Sequence, residues 1–299
     1  MTSPLDGCHA KLSRAYQHLR SLDDSIQDWG KQTPYTLAVR IDAKSGEHVV
    51  TITQVLEPPV LGWGVITGDA LHNLRSALDH LVCVLTRTHQ PAHECRGTAF
   101  PVLRHESKWD KGGLARLGPI DDPWTVLTLR GLQPFARWRD DGKGEPLWIL
   151  NELINTDKHR TLNLGTLFLY QPELTVDPPG SAEVTWVRPA GPFEDGDEIA
   201  RYRKIDRKAK VHKRYGVDIV FRDPGPAEGT KVDVILDWLF DTVVHVIDLF
   251  DYKLLDGRPP AGTKRAVISA YGTETSDVEG AHSNSPEAKR ERWGADAPN

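Results

Sequence analysis

His72, Arg75, Asp79 and His80 fall within the segment GDALHNLRSALDHL, and Asp157, Lys158, His159 and Arg160 stand together as DKHR further along the chain. A carboxylate next to an imidazole orients the ring and stabilises its charged form, and a guanidinium beside them holds an anion. Such a set suits acid–base chemistry on a phosphate ester, with the imidazole moving a proton and the arginine binding phosphate. Residues three and four apart on a helix are neighbours, which makes His72, Arg75, Ser76 and Asp79 one patch. With both segments on one cleft, His72, Arg75, Asp79, His80, Asp157 and His159 form the candidate site, carboxylate and imidazole flanking a substrate from two elements.

The first segment needs a helix to carry it, and the run from Pro59 to His93 supplies one that contains no Lys and no Glu. At about 100° per residue, Ala70, Leu71, Leu74, Ala77, Leu78, Leu81, Val82, Val84 and Leu85 share an arc of roughly 160°. Asp69, His72, Asn73, Arg75, Ser76, Asp79 and His80 fill the other side. An amphipathic helix needs a polar face in any case, but Asn, Asp, Ser and His are mediocre helix formers that an exposed face gains nothing by collecting. Their choice points either to a functional site or to a polar network buried between elements. The DKHR cluster ends a second helical pattern, Pro146 to His159, whose stripe is Leu147, Leu150, Leu153 and Ile154. Cations there also suit a solvated helix C-terminus.

The remaining elements follow from periodicity and turn chemistry. Leu12, Tyr16, Leu19, Leu22 and Ile26 recur at spacings of three and four, giving a first helix from Leu5 to about Trp29. TPYTLAVRID and EHVVTITQVL are β-branched runs around Ala43-Lys44-Ser45-Gly46 and predict a hairpin over 34–56. Pro58 and Pro59 stop it, and the polar motif helix occupies 60–90. His89 to Gly144 is rich in Gly and Pro, with a helical turn or two from Trp124 to Gly131. A second β region over 161–222 holds three or four antiparallel strands, punctuated at Pro178-Pro179-Gly180 and Glu194-Asp195-Gly196-Asp197. A closing helix spans 231–255. Helices and strands come in blocks, which predicts an α+β fold with a helical core of about four helices, an N-terminal β-hairpin and a second antiparallel β region, as a single domain over 1–256. Residues 257–299 read as a disordered polar tail, with AVISAYG as a candidate short strand.

A net charge of −5 and a pI near 6.2 argue against a surface that coats nucleic acid or anionic membrane as a whole. Cys8, Cys83 and Cys95 are odd in number and show no C-x-x-C spacing, which predicts ordinary thiols and a reducing compartment. MTSPLDGCHAKL lacks the apolar core of a signal peptide, and Val232 to Phe250 is interrupted by Asp233, Asp237, Asp241, His245 and Asp248. A soluble, cytoplasmic protein with no membrane partner is expected.

GDALHNLRSALDHL, Phe100-Pro101-Val102 and DKHR together resemble a family of uncharacterised bacterial proteins, common in actinobacteria, over roughly Gly68 to Arg160. That resemblance marks a family and implies no activity. Arg75-Ser-Ala-Leu-Asp-His80 is also similar to the mark of the HEPN class of α-helical ribonucleases and nucleic-acid-binding modules, an Arg followed after four to six residues by His. The same spacing recurs from Arg87 to His93 and from Arg207 to His212. Ser76 stands where many such proteins carry Asn, Asp or His, and the β segments are not part of a minimal HEPN bundle. The resemblance implies His80 as acid or base, Arg75 on the scissile phosphate, RNA as partner, no metal or other cofactor, and a site formed across a homodimer.

Two other readings stand beside it. Asp69 with His72, Glu152, and the row Asp237, Asp241 and His245 are residue types that bind metal on facing helices, although no Glu-x-x-His pair occurs. A non-enzymatic reading makes the polar helix a buried structural network and places function on a partner surface, with the basic run Arg201 to Arg214 as its candidate. No Walker loop, dinucleotide fingerprint, nucleophile elbow or H-E-x-x-H helix is present. The leading expectation is a metal-independent, HEPN-like protein that processes or binds RNA.

Overall fold

The computed structural model describes residues 3–32, 34–137, 144–167, 173–187, 195–206, 210–214 and 218–255. The elements run α1 (Asp6–Lys31), β1 (Tyr35–Ile41), β2 (His48–Val55), α2 (Val60–His89), α3 (Leu114–Leu117), α4 (Pro123–Gly131), α5 (Pro134–Arg137) and α6 (Pro146–Asp157). They continue with β3 (Leu164–Leu167), β4 (Glu173–Asp177), β5 (Ala182–Trp186), β6 (Glu198–Lys204), β7 (Lys210–Arg214), β8 (Asp218–Phe221) and α7 (Val232–Leu255). The fold is α+β, with four long helices where the apolar stripes place them. The expected tail and its AVISAYG strand lie outside the described residues.

Helix starts follow local chemistry. Asp122 accepts a hydrogen bond from the Thr125 backbone N–H at 2.9 Å and Pro123 opens α4. Pro146 opens α6 in the same way, and Glu145 accepts from the Trp148 N–H at 3.1 Å. That glutamate is fully buried, and burial pushes its carboxyl up to about 7 against the pull of Arg137, whose Nη1 is 3.9 Å away.

The hairpin forms over the expected span, with Tyr35 opposite Val55 through Ile41 opposite His48 and an irregularity at Thr36/Leu37. Its turn is held by Asp42, whose Oδ1 accepts from the N–H groups of Lys44 (2.8 Å) and Ser45 (3.3 Å), while Gly46 adopts φ 70°. Those bonds favour the carboxylate and hold Asp42 below its ordinary range. The second β region is more divided than the sequence suggests. Among the described residues it holds six strands, and β6 pairs with β2 of the hairpin to give a four-stranded sheet of order β1-β2-β6-β5. β3 pairs with β8 and β4 with β7 in two further antiparallel ribbons. Arg201 and Arg203 of the basic run are answered by acids: Arg201 donates to Glu198 at 2.9 Å, and Glu47 lies 3.7 Å and 3.6 Å from the two guanidiniums.

Backbone contacts gather the span read as one domain into two compact units whose boundaries fall within α1, α2 and α7 and between α6 and β3. One comprises the described residues of 1–20, 66–160 and 235–255. Its core holds Leu5, Leu12 and Tyr16 of α1, Leu71, Leu74, Leu78 and Leu81 of α2, Leu147, Leu150 and Leu153 of α6, and Phe240, Val243 and Ile247 of α7, all buried. The other comprises 21–65 and 161–234. There Trp63 donates to Ser25 at 2.9 Å and meets Trp29 edge-on, with ring centroids 5.6 Å apart. No described helix is long and apolar enough to cross a membrane.

The cysteines depart from expectation. Cys83 on α2 and Cys95 in the following loop are disulfide-bonded, while Cys8 is free and its buried thiol is pushed up to about 12. The pairing arises because the chain leaves α2, turns at Gln90 to His93 and returns, with Cys95 at φ 58°. Short-range cysteine spacing carries no sign of that return, and the bond removes the cysteine argument for a reducing compartment. Alkylation of the unreduced, denatured chain is expected to label one cysteine, and three after reduction, as read by intact mass. Three labels without reductant would exclude the bond.

Candidate functional site

The polar face of α2 is set by the burial of the opposite one: of the apolar arc, all but the part-exposed Val84 are buried. His72 Nε2 lies 3.1 Å from Oδ2 of Asp157, at the end of α6. Gly68, one turn before His72, makes this meeting possible. A Cβ built on Gly68 would sit 2.5 to 2.7 Å from the atoms of the Asp157 carboxylate. The carboxylate therefore rests against bare helix backbone and reaches the imidazole along the same face.

Arg75 and Asp79 are committed to each other. Arg75 Nε donates to Asp79 Oδ2 at 3.2 Å and Nη2 donates to Oδ1 at 2.9 Å, a two-pronged pair one turn apart. Together they take hold of one peptide in the loop beyond α2: Arg75 Nη2 donates to the Phe100 carbonyl at 2.7 Å, and the Phe100 N–H donates to Asp79 Oδ1 at 2.9 Å. The Phe100 ring beneath is fully buried. A guanidinium has five N–H donors, and these contacts use the Nε–H and the Nη2 edge, which leaves the two Nη1 hydrogens.

A cavity of about 590 Å³ opens beside these groups, lined by His72, Arg75, Ser76 and Asp79 of α2 and by Asn151, Ile154, Asn155 and Lys158 of and just after α6. Ala99, Val102 and Arg116 close its remaining side. Arg116 is positioned through its backbone: its carbonyl accepts the Ala99 N–H at 3.0 Å, and the next carbonyl, of Leu117, accepts the buried Thr86 hydroxyl at 3.3 Å.

Four of the six expected residues thus gather at this cleft: His72, Arg75 and Asp79 line it, and Asp157 is bound to His72. His80 and His159 are not among its lining residues. His80 is exposed, and its Nδ1 would lie 3.2 Å from a Cβ on Gly7 of α1. The separation from Arg75 is geometric, since five residues on a helix span about 140° around the axis. His159 is exposed just past α6, where its N–H donates to the Thr156 carbonyl at 3.1 Å.

Arg116 and Asn151 escaped the sequence reading. Asn151 has a legible signal, because Asn151, Asn155 and Lys158 follow at steps of four and three along one helix face. Arg116 has none, since its place depends on the Ala99 backbone. Among the described residues no three His, Cys, Asp or Glu side chains gather as a metal-binding group. Comparison of the chain with protein-family models, curated proteins and solved structures finds no match.

Proposed function

We propose that the chain is a metal-independent phosphate-ester enzyme acting on RNA, with His72 as its proton-transfer group in place of the His80 that residue spacing suggests. The observation that carries this reading is the His72 to Asp157 contact of 3.1 Å at the rim of a cleft that also presents Arg75, Arg116 and Lys158. Asp157 occupies one ring nitrogen and fixes the imidazole's orientation, leaving Nδ1 to take a proton from a ribose 2′-hydroxyl. The 2′-oxygen then bonds to the adjacent phosphorus as the bond to the 5′-oxygen breaks. Water protonates the leaving oxygen, and the products are a cyclic 2′,3′-phosphate and a 5′-hydroxyl end. The guanidiniums and the ammonium answer the charge that builds on the phosphoryl oxygens. All of these groups come from one chain, so this reading needs no dimer.

Incubation of the purified chain with single-stranded RNA in excess chelator is expected to give cyclic-phosphate ends. His72→Ala should reduce the rate about 10² to 10⁴-fold, as loss of a general base does, and His80→Ala should leave it unchanged. RNA that stays intact with wild-type protein rejects the activity, and equal rates for wild type and His72→Ala reject the assigned base.

A second role, structural, is favoured for Arg75 and Asp79 by their joint hold on the Phe100 peptide.

A further inference from the structure

We infer that the Cys83–Cys95 disulfide is a redox switch on the cleft: oxidised, it holds the wall built by the loop after α2 in place, and its reduction by a thiol lets that wall leave. The inference rests on reading this cleft as the working site and adds its regulation. Arg75, Asp79, Cys83 and Arg87 follow one another along α2 at steps of four, so they form one ridge of the helix. Each takes hold of the returning loop. Arg87 Nε donates to the His93 carbonyl at 3.2 Å, Cys83 is bonded to Cys95, and Arg75 and Asp79 share the Phe100 peptide. The loop thus runs back along the ridge, with the disulfide as its middle fastening. The end of the same stretch is the cleft wall: Ala99 and Val102 line the cavity, and the Ala99 N–H donates at 3.0 Å to the carbonyl of Arg116, which lines it too.

Of these fastenings, only the disulfide is cut and remade by a thiol. A thiolate attacks one sulfur, the S–S bond breaks, and the departing cysteine sulfur takes a proton. A second thiol attacks the mixed disulfide and releases the other cysteine, so the protein gains two electrons and two protons while two thiols become a disulfide. Access is provided, since Cys83 and Cys95 are both part-exposed and Glu94, Arg96 and Gly97 around the second are exposed. Cys8 is fully buried and takes no part. Release has a direction as well. Cys95 is held at φ 58°, a left-handed conformation that a residue with a side chain rarely adopts, so a freed Cys95 gains by turning back. That turn swings its carbonyl away from the Thr98 hydroxyl, which donates to it at 2.8 Å one residue before Ala99.

Hydrogen exchange of the full chain, read by mass spectrometry before and after treatment with dithiothreitol at neutral pH without denaturant, tests the inference. The expectation is that the stretch 94–103 exchanges about tenfold faster once the bond is reduced, that α6 and α7 keep their protection, and that oxidised glutathione restores the first rate. Cys83→Ser/Cys95→Ser should exchange as the reduced chain does and ignore dithiothreitol; a double variant that still responds overturns the assignment to this bond. A bond that resists dithiothreitol in the folded chain, or an exchange rate in 94–103 that reduction leaves unchanged, overturns the switch. So does a loss of protection that spreads to α6 and α7, because the bond then holds the whole unit and not one wall. RNA cleavage separates this inference from the reading it rests on. Reduced protein should cleave about tenfold more slowly, and equal rates in both redox states overturn the switch while leaving the activity. No cleavage in either state removes the activity, and the exchange result then decides the switch alone.

Discussion

Asp79→Ala is expected to destabilise the chain by about 2–4 kcal/mol, whereas His72→Ala, two turns away on the same helix face, should cost about 1 kcal/mol. The Asp79 carboxylate accepts from Arg75 twice and from the Phe100 N–H once. Its removal strands a guanidinium whose side chain is only 18% exposed and leaves the Phe100 N–H without its partner above a buried ring. Breaking one side of a buried pair costs more than the pair contributes, because the surviving charge keeps its desolvation penalty; the 36% exposure of Asp79 tempers the figure. His72 is 44% exposed and makes a single contact, so water can take its place beside the Asp157 carboxylate, which is itself 16% exposed and accounts for the cost that remains. Urea and thermal unfolding would measure both. The double change Arg75→Met/Asp79→Leu should recover part of the loss, and an Asp79→Ala variant as stable as wild type would end the structural account of this pair.

The second large effect concerns a residue with no side chain. Gly68→Ala should reduce the proposed RNA cleavage about 10²-fold while leaving stability unchanged or raised. The added methyl would stand 2.5 to 2.7 Å from the Asp157 carboxylate, closer than non-bonded atoms approach, so the carboxylate must withdraw from His72. A misplacement of about 1 Å in a catalytic group is enough for a loss of that size. Alanine in a helix interior is better than glycine by up to about 1 kcal/mol, which offsets the local crowding. Nuclear magnetic resonance of the His72 ring, with cleavage rates, separates the outcomes. A variant that cleaves at the wild-type rate, with unaltered ring resonances, would show that the contact does not matter.

Much of the fold is legible because it rests on local patterns. The α2 arc, the Leu147–Ile154 stripe and the Asp42–Gly46 turn are short-range statements, and they hold to within a residue or two. The pairing of β2 with β6 is not local, and nothing in either strand names its partner. The site divides along the same line. His72 and Asp157 are chemically conspicuous residue types, but their meeting depends on Gly68, which reads in sequence only as a weak helix former. Arg75 and His80 fit a linear spacing, yet the helix turns them apart, and Arg75 finds its partner four residues on. The Cys83–Cys95 bond and the place of Arg116 both depend on the path of the loop after α2, the stretch whose Gly and Pro content gives periodicity nothing to follow.

That loop has a consequence for how the chain can vary. Cys95 is fastened to α2 by its sulfur, Phe100 by both of its backbone polar groups, and between them the Thr98 N–H returns to the Cys95 carbonyl while Ala99 bonds to Arg116. A segment tied at both ends and stitched along its length has no slack. Arg96 is exposed and makes only a surface ion pair with Glu94, so its exchange should cost little. A codon gained or lost between Cys95 and Phe100 would instead force the chain to abandon one anchor, so inheritance can edit the spelling of this stretch but not its length.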